Sequence, residues 1–213
     1  MIYDIDIAKQ VAKSLLQINA IILQPNNPFK WAAGWNSPIY CDNRKTLSHP
    51  EIRNSIRQGL AAIVRNHYKG ADVIAGVATA GIPHGALVAE ELGLPFIYVR
   101  SKAKEHGEKN QIEGVFEEGQ TIVLIEDLIS SGKSSLEAAA ILKDAGMLVK
   151  GITSIFTYGF DAATKNFEKA HCKYLSLCDY NTLLQQAIVQ QYIEEVDLSV
   201  LKEWRRNPST WKQ

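Results

Sequence analysis

Residues 122–135 read IVLIEDLISSGKSS, and the choice of fold turns on them. They contain Gly132-Lys133-Ser134, the ending of an ATP-binding P-loop, G-x-x-x-x-G-K-[ST]. The position five before Gly132, where the first glycine belongs, is Asp127. A carboxylate there would face the phosphates, so the P-loop reading fails on its own spacing. The surroundings still suit an anion. Residues 122–125 are apolar and mostly β-branched, which predicts a short buried strand. Ser130, Ser131 and Gly132 predict a tight turn. Residues 134–143 predict a helix with Leu136, Ala139, Ala140 and Leu142 on its apolar face. Free amides at a helix start, with the helix dipole, form a phosphate site. A plain strand-to-helix turn with a serine cap satisfies the same letters.

The acids narrow the ligand. A carboxylate is a poor neighbour for phosphate but a good acceptor for sugar hydroxyls, and it can help hold a hydrated Mg²⁺. Acids at the strand end followed by hydroxyls and glycine fit a ribose 5-phosphate. Its hydroxyls would meet Glu126 and Asp127, and its phosphate the amides of residues 130–134.

Working outward, the 213 residues are 46% hydrophobic, enough for one ordinary core. Lysine plus arginine equals aspartate plus glutamate, 23 each, so there is no electrostatic case for nucleic acid or anionic membrane as partner. No apolar run approaches the ~20 residues of a membrane span. The start, MIYDIDIAKQ, has no signal-peptide pattern. Cys41, Cys172 and Cys178 have neither zinc-like nor disulfide-framework spacing. A reducing cytoplasm is the expected location.

Residues 8–22 predict an amphipathic helix broken by Pro25 and Pro28, and residues 29–43 a hairpin or hood. Residues 50–68 predict a second helix. Strands are then expected at 72–77, 95–99, 121–125 and 148–156, with helices at 83–92, 134–143 and 162–170 and two short helices in the tail, 182–204. Strands alternating with helices argue a mostly parallel sheet, whose ligands sit at the strands' carboxyl ends. Residues 76–85, GVATAGIPHG, follow one such end. Their small residues permit either an anion nest or simply close packing. Residues 100–119 follow another, with Arg100, Lys102, Lys104, His106 and Lys109 among Glu105 and Glu108. A loop near twenty residues inside a compact domain reads as a lid or as a solvated charged loop, with Gly107 and Gly114 as candidate hinges.

Two acids, two apolar residues, then Ser/Thr-small-Gly-x-Ser/Thr resembles the phosphoribosyl pyrophosphate (PRPP) signature of type I phosphoribosyltransferases. SPIYCDNR, residues 37–44, and RSKAKEHG, residues 100–107, resemble the orotate branch of that family. The resemblance implies an α/β type I phosphoribosyltransferase fold: a mostly parallel central sheet flanked by helices, with a small N-terminal hood. One domain, 1–213, would include the hood, about 1–45, and the C-terminal helices. The implied reaction moves the 5-phosphoribosyl group from PRPP to orotate, giving orotidine 5'-phosphate and pyrophosphate on the route to UMP.

Carried over by motif, PRPP would meet Arg100, Lys104, His106, Glu126, Asp127, Leu128, Ile129, Ser130, Ser131, Gly132, Lys133, Ser134, Thr79 and Ala80. Orotate would meet Ser130, Tyr40 and Cys41. Lys104, Arg100, His106 and Asp127 would act in the chemistry, with Mg²⁺ carried by PRPP and touching Glu126 or Asp127 only through water. The family is also homodimeric, the cationic loop of one subunit closing over its partner's site. This chain departs from the pattern in places. Thr79-Ala80 replaces the Tyr-Lys of enteric members. Ala32 stands at a basic position, and the arginine some members place after the 148–156 strand is missing from SIFTYGF. Arg44 and Lys30 are the remaining candidates for the orotate carboxylate, each equally suited to a structural salt bridge. A purine phosphoribosyltransferase and a non-enzymatic PRPP sensor are the alternatives. The SPIYCDNR hood argues against the first and the cationic loop against the second.

Overall fold

The computed structural model describes residues 1–31, 34–101 and 111–212. Lys104, His106 and the basic-position substitute Ala32 lie outside the described residues.

The chain opens with helix α1 (Ile5–Gln17), capped by the Asp4 carboxylate, which accepts from the amides of Asp6 and Ile7 at 2.9 Å each. The predicted helix over 8–22 is too long at its end. Asn19 adopts φ 51°, a left-handed conformation asparagine tolerates, and it stops the helix. Ile22 instead lies on strand β1 (Ile21–Leu23). The hood follows: β2 (Phe29–Lys30) and β3 (Asn36–Ser37) form a hairpin, and β4 (Ile39–Cys41) pairs antiparallel with β1. A short 3-10 segment, Asn43–Ser48, leads to α2 (Pro50–His67).

The βα alternation comes next: β5 (Val73–Val77), α3 (Gly81–Leu92), β6 (Phe96–Val99), β7 (Ile112–Glu113), β8 (Thr121–Ile129), α4 (Lys133–Asp144), β9 (Leu148–Thr157), α5 (Asp161–Lys169), β10 (Tyr174–Asp179), α6 (Tyr180–Val189) and α7 (Asp197–Arg206). One six-stranded sheet has the order β10-β9-β8-β5-β6-β7. All its pairs are parallel except β6–β7 at the edge. Two strands escaped the sequence reading. β7 is two residues long and sits inside a polar stretch. β10, YLSLCD, mixes serine with apolar residues, yet Ser176 is fully buried, its hydroxyl 2.7 Å from that of Ser154 on β9.

Alternation assigns the central strands to two cores. Val73, Ala75 and Val77 of β5 and Ile122 and Leu124 of β8 face α4 and α5. Ile74, Val123 and Ile125 face the helices on the other side. Both faces are covered, so these strands read as continuous apolar runs. Among the described residues, no helix is long and apolar enough to cross a membrane.

Glycines let α3 sit close on the sheet. A Cβ at Gly81 would collide with the Ile125 carbonyl, and one at Gly76 would lie 2.8 Å from the Ile82 Cα. Close packing therefore explains these two glycines of the 76–85 loop. Gly81→Ala is expected to destabilise the protein by about 1–3 kcal/mol through overpacking against backbone. Urea unfolding checks this as a lowered midpoint at unchanged slope.

Candidate active site

The phosphate loop begins where the strand reading stopped too early. β8 does not end at Ile125. It stays paired with β9 through Glu126↔Ser154, Leu128↔Phe156 and Ile129↔Thr157. The two acids therefore sit on the strand's extension, with carboxyl groups whose directions the sheet fixes. Ile129 is fully buried, and its carbonyl accepts from the Tyr158 amide at 3.1 Å and the Thr157 hydroxyl at 3.2 Å. Its side chain and carbonyl thus anchor the start of the loop on β9.

Gly132, at φ 77°, is the N-cap of α4 and has no side chain to cap it; the Ser131 hydroxyl oxygen accepts from the Lys133 amide at 3.4 Å. A Cβ at Gly132 would run into the Phe167 ring of α5, so both conformation and space demand glycine. Asn166, beside Phe167, donates to the Ser131 carbonyl at 3.0 Å. The amides of Ser130, Ser131, Gly132, Ser134 and Ser135 donate to no group among the described residues. They form an open nest at the positive end of α4, the arrangement that binds a phosphate. A hollow of about 320 Å³ lies over it, bordered by Leu128, Ser130, Ser131 and Lys133. Lys133 is exposed, 3.9 Å from Glu137.

A second hollow of about 420 Å³ adjoins Ser134 and Glu137 and reaches the ends of β5 and β6 at Ala78 and Arg100. Val77 and Ala78 of the 76–85 segment, which the sequence reading did not single out, line it. Thr79 is exposed in the turn and Ala80 precedes α3. Their amides have no acceptor among the described residues. Arg100 ion-pairs with Glu113 of β7 at 3.5 Å, and its amide donates to the Gln111 carbonyl at 2.8 Å. β7 thus steadies the cation at the sheet edge. Gly114 adopts φ 112°, and a Cβ there would lie 2.9 Å from the Ile97 Cγ2.

The two carboxyls differ. Glu126 is 5% exposed; its Oε1 accepts from the Asp127 amide at 3.0 Å and its Oε2 from the Ser135 hydroxyl at 3.0 Å. Burial, then the adjacent Asp127 charge, holds its pKa well above the usual carboxylate range. Asp127 is mostly buried, though less completely than Glu126. Burial raises its pKa too, opposed by a hydrogen bond with Glu126 and by the Arg44 charge. The hood closes on this acid: Asn43 Nδ2 donates to the Asp127 carbonyl at 2.8 Å. The Cys41 thiol, pushed up by burial and by the Asp127 charge, stays protonated, 3.5 Å from Asn43 Oδ1. Tyr40 is 39% exposed and packs on Phe29, ring centres 5.7 Å apart. Arg44 is engaged with Asp42 at 2.6 Å, and Lys30 is exposed on β2. Tyr158, buried at the end of β9, makes no hydrogen bond through its hydroxyl among the described residues, and Cys41 and Asp127 both act on it electrostatically. Asn43, Ala78 and Ser135 lie within quoted segments but were not singled out there, and Tyr158 lies in none given a site role; only the folded chain brings them together.

Residues 44–192 match the phosphoribosyl transferase domain family. The chain is 53% identical over 205 residues to the orotate phosphoribosyltransferase of Cytophaga hutchinsonii, covering 96% of this chain and 98% of the relative. The chain belongs to the orotate phosphoribosyltransferases. It is 55% identical to the Bacillus subtilis protein of the same name, over 96% of this chain and 95% of that one. The crystal structure of orotate phosphoribosyltransferase from Aeropyrum pernix superposes with a TM-score of 0.74 at 25% identity, covering 83% of this chain and 97% of that one. The fold is thus the type I phosphoribosyltransferase fold the motif implied, and the enzyme class is pentosyl transfer.

Stability should report the buried acid. A folded-state pKa raised above the unfolded value, about 4.3 for glutamate, gives stability that is full below that value and lost as pH rises through the folded pKa. Glu126→Gln cannot ionise. Its stability relative to wild type, from urea unfolding at pH 5 and pH 8, is expected to improve at the higher pH.

Proposed function

We propose that the protein transfers the 5-phosphoribosyl group of PRPP to orotate, releasing pyrophosphate and forming orotidine 5'-phosphate for pyrimidine synthesis. One arrangement supports this most directly: the amide nest at the head of α4, the acids on the β8 extension just before it, and the hood's Asn43 bonded to Asp127. An anion site, a sugar-facing acid and a lid for a flat base meet in one place. The orotate relatives at 53% and 55% identity support the choice of base.

The base nitrogen forms a bond to the anomeric carbon as the carbon–oxygen bond to pyrophosphate breaks, and the electron pair leaves with pyrophosphate. The free amides of Ser130, Ser131, Gly132, Ser134 and Ser135 hold the 5-phosphate. Asp127 accepts from the ribose hydroxyls, and its ionised form is favoured as the sugar becomes positive. The free amides of Thr79 and Ala80 meet the pyrophosphate, joined by Arg100 from the loop of the other subunit. Lys104 and His106 belong to the same cationic segment by sequence and lie outside the described residues. Tyr40, Cys41 and Ser130 border the base, and Cys41 is a neutral thiol there.

Mg²⁺ fits this site as a passenger of the substrate. Among the described residues no cluster of three or more His, Cys, Asp or Glu could hold a metal, and Glu126 already accepts two hydrogen bonds. Asp127 would reach the ion through water, the manner in which Mg²⁺ is usually held. Bound, it supplies charge neutralisation on pyrophosphate. The reading includes a single domain over 1–213, a cytoplasmic setting, and a homodimer in which the 100–107 segment serves the partner's site.

Two measurements test it. With PRPP and Mg²⁺, pyrophosphate release is expected with orotate and at least about tenfold less with uracil, since the carboxylate adds charge-assisted contacts. Equal turnover with uracil or a purine removes the orotate assignment. For the shared loop, Lys104→Ala and Asp127→Asn subunits are exchanged. Random pairing makes about half the dimers mixed, each with one intact site, so activity recovers to about a quarter of wild type. No recovery after verified exchange means the loop serves its own subunit.

A further inference from the structure

We propose that Tyr158 is a base-binding residue: its hydroxyl donates to a ring carbonyl of the pyrimidine that the hood encloses. The inference rests on the orotate reading above. It adds to Tyr40, Cys41 and Ser130 a donor from the far side of the sheet's end.

The hydroxyl lacks a partner of its own. Tyr68, Tyr158 and Tyr180 are the buried tyrosines among the described residues. The Tyr180 hydroxyl donates to the Leu201 carbonyl at 3.0 Å and that of Tyr68 to the Ile152 carbonyl at 3.3 Å. That of Tyr158, a residue only 2% exposed, meets no acceptor among the described residues. A buried hydroxyl left unpaired costs free energy, and a native protein keeps one where something else supplies the partner. The ring cannot turn away to find one. Trp31, Phe156, Phe160, Tyr180 and Trp204 surround it, with ring centres 5.2–6.4 Å away.

Its place points to the base. Tyr158 directly follows β9, and its amide donates at 3.1 Å to the carbonyl of Ile129, the residue before Ser130. Burial first, then the neighbouring Cys41, Tyr180 and Asp127, pushes the hydroxyl's pKa well above the usual tyrosine value. The group is therefore a protonated donor, set between the hood's Cys41 and the acid at the end of β8. Asp127 also decides which oxygen of orotate it meets. A carboxylate bound to Tyr158 would lie near that acid and be repelled, whereas a neutral ring carbonyl would not.

The test uses the full-length protein and Tyr158→Phe, which keeps the ring and its packing. At saturating PRPP the orotate KM is expected to rise about tenfold, the scale of leaving one buried carbonyl unpaired. The PRPP KM and calorimetric PRPP binding should move less than about twofold. Uracil carries the same ring carbonyls, so its kcat/KM should fall alongside and the preference for orotate over uracil should change less than about threefold. Tyr180→Phe removes a hydroxyl from the same ring cluster and should leave the orotate KM within about twofold, whatever its unfolding midpoint. An unchanged orotate KM in Tyr158→Phe overturns the proposal, and so does an equal rise in the PRPP KM. A collapse of the preference over uracil overturns it by putting the hydroxyl on the carboxylate. Tyr180→Phe as damaging to the orotate KM as Tyr158→Phe overturns it by making the effect one of packing. A wild type that does not turn over orotate rejects the base assignment and this proposal together, whereas an active wild type with an unaffected Tyr158→Phe rejects this proposal alone.

Discussion

β8 continues past its apolar segment, and the site depends on that continuation. Pairing with β9 through Ile129↔Thr157 keeps the backbone extended across Glu126 and Asp127. Successive side chains on a strand point to opposite faces. Two neighbouring acids therefore meet different surroundings. Glu126 enters the buried space against α4, where Ser135 receives it, while Asp127 is less completely buried beneath the hood and stays within hydrogen-bonding reach of Glu126. A chain that turned immediately after Ile125 would leave both carboxyls in a loop, with no sheet to fix their directions. The extension also places residues 130–132 where α5 can support them through Phe167 and Asn166.

The hood is tied in at several points. Trp31 donates from its indole to the Ile39 carbonyl at 3.1 Å and packs on Tyr158 and on Trp204 of α7. Tyr158 in turn touches Phe156, Phe160, Tyr180 and Trp204, with ring centres 5.2–6.4 Å apart. Offset and edge-on aromatic pairs of this kind add to plain burial. The first and last parts of the chain thus close around the end of β9, beside the strand that bears the acids. Asn43 adds a direct bond from the hood to Asp127. The base-facing side of the site is held from both ends of the sequence.

Small residues play two parts near the ligand space. Gly81 and Gly76 are required because α3 rests on backbone atoms of β5 and β8. Gly132 is required by its own positive φ and by the Phe167 ring. Beside these tight approaches, the amides of Thr79, Ala80, Ser130, Ser131, Gly132, Ser134 and Ser135 are left without an acceptor among the described residues.

Much of this was readable from the letters. The apolar run before Glu126, the acids, and the Ser-Ser-Gly turn determined a strand, a carboxylate pair and a phosphate loop, because side-chain period and turn chemistry are local. The hood segment and the order of motifs determined the family. Local pattern gave the wrong end for α1, since apolar spacing carries on through Ile22 while Asn19 turns the chain. It missed β10, whose serines are satisfied only by partners in the sheet, and β7, whose two residues gain strand character only from β6. The different surroundings of Glu126 and Asp127 were invisible for the same reason. They depend on Ser135 donating to the Glu126 carboxyl and Asn43 to the Asp127 backbone carbonyl, and those contacts exist only once the sheet, α4 and the hood have packed together.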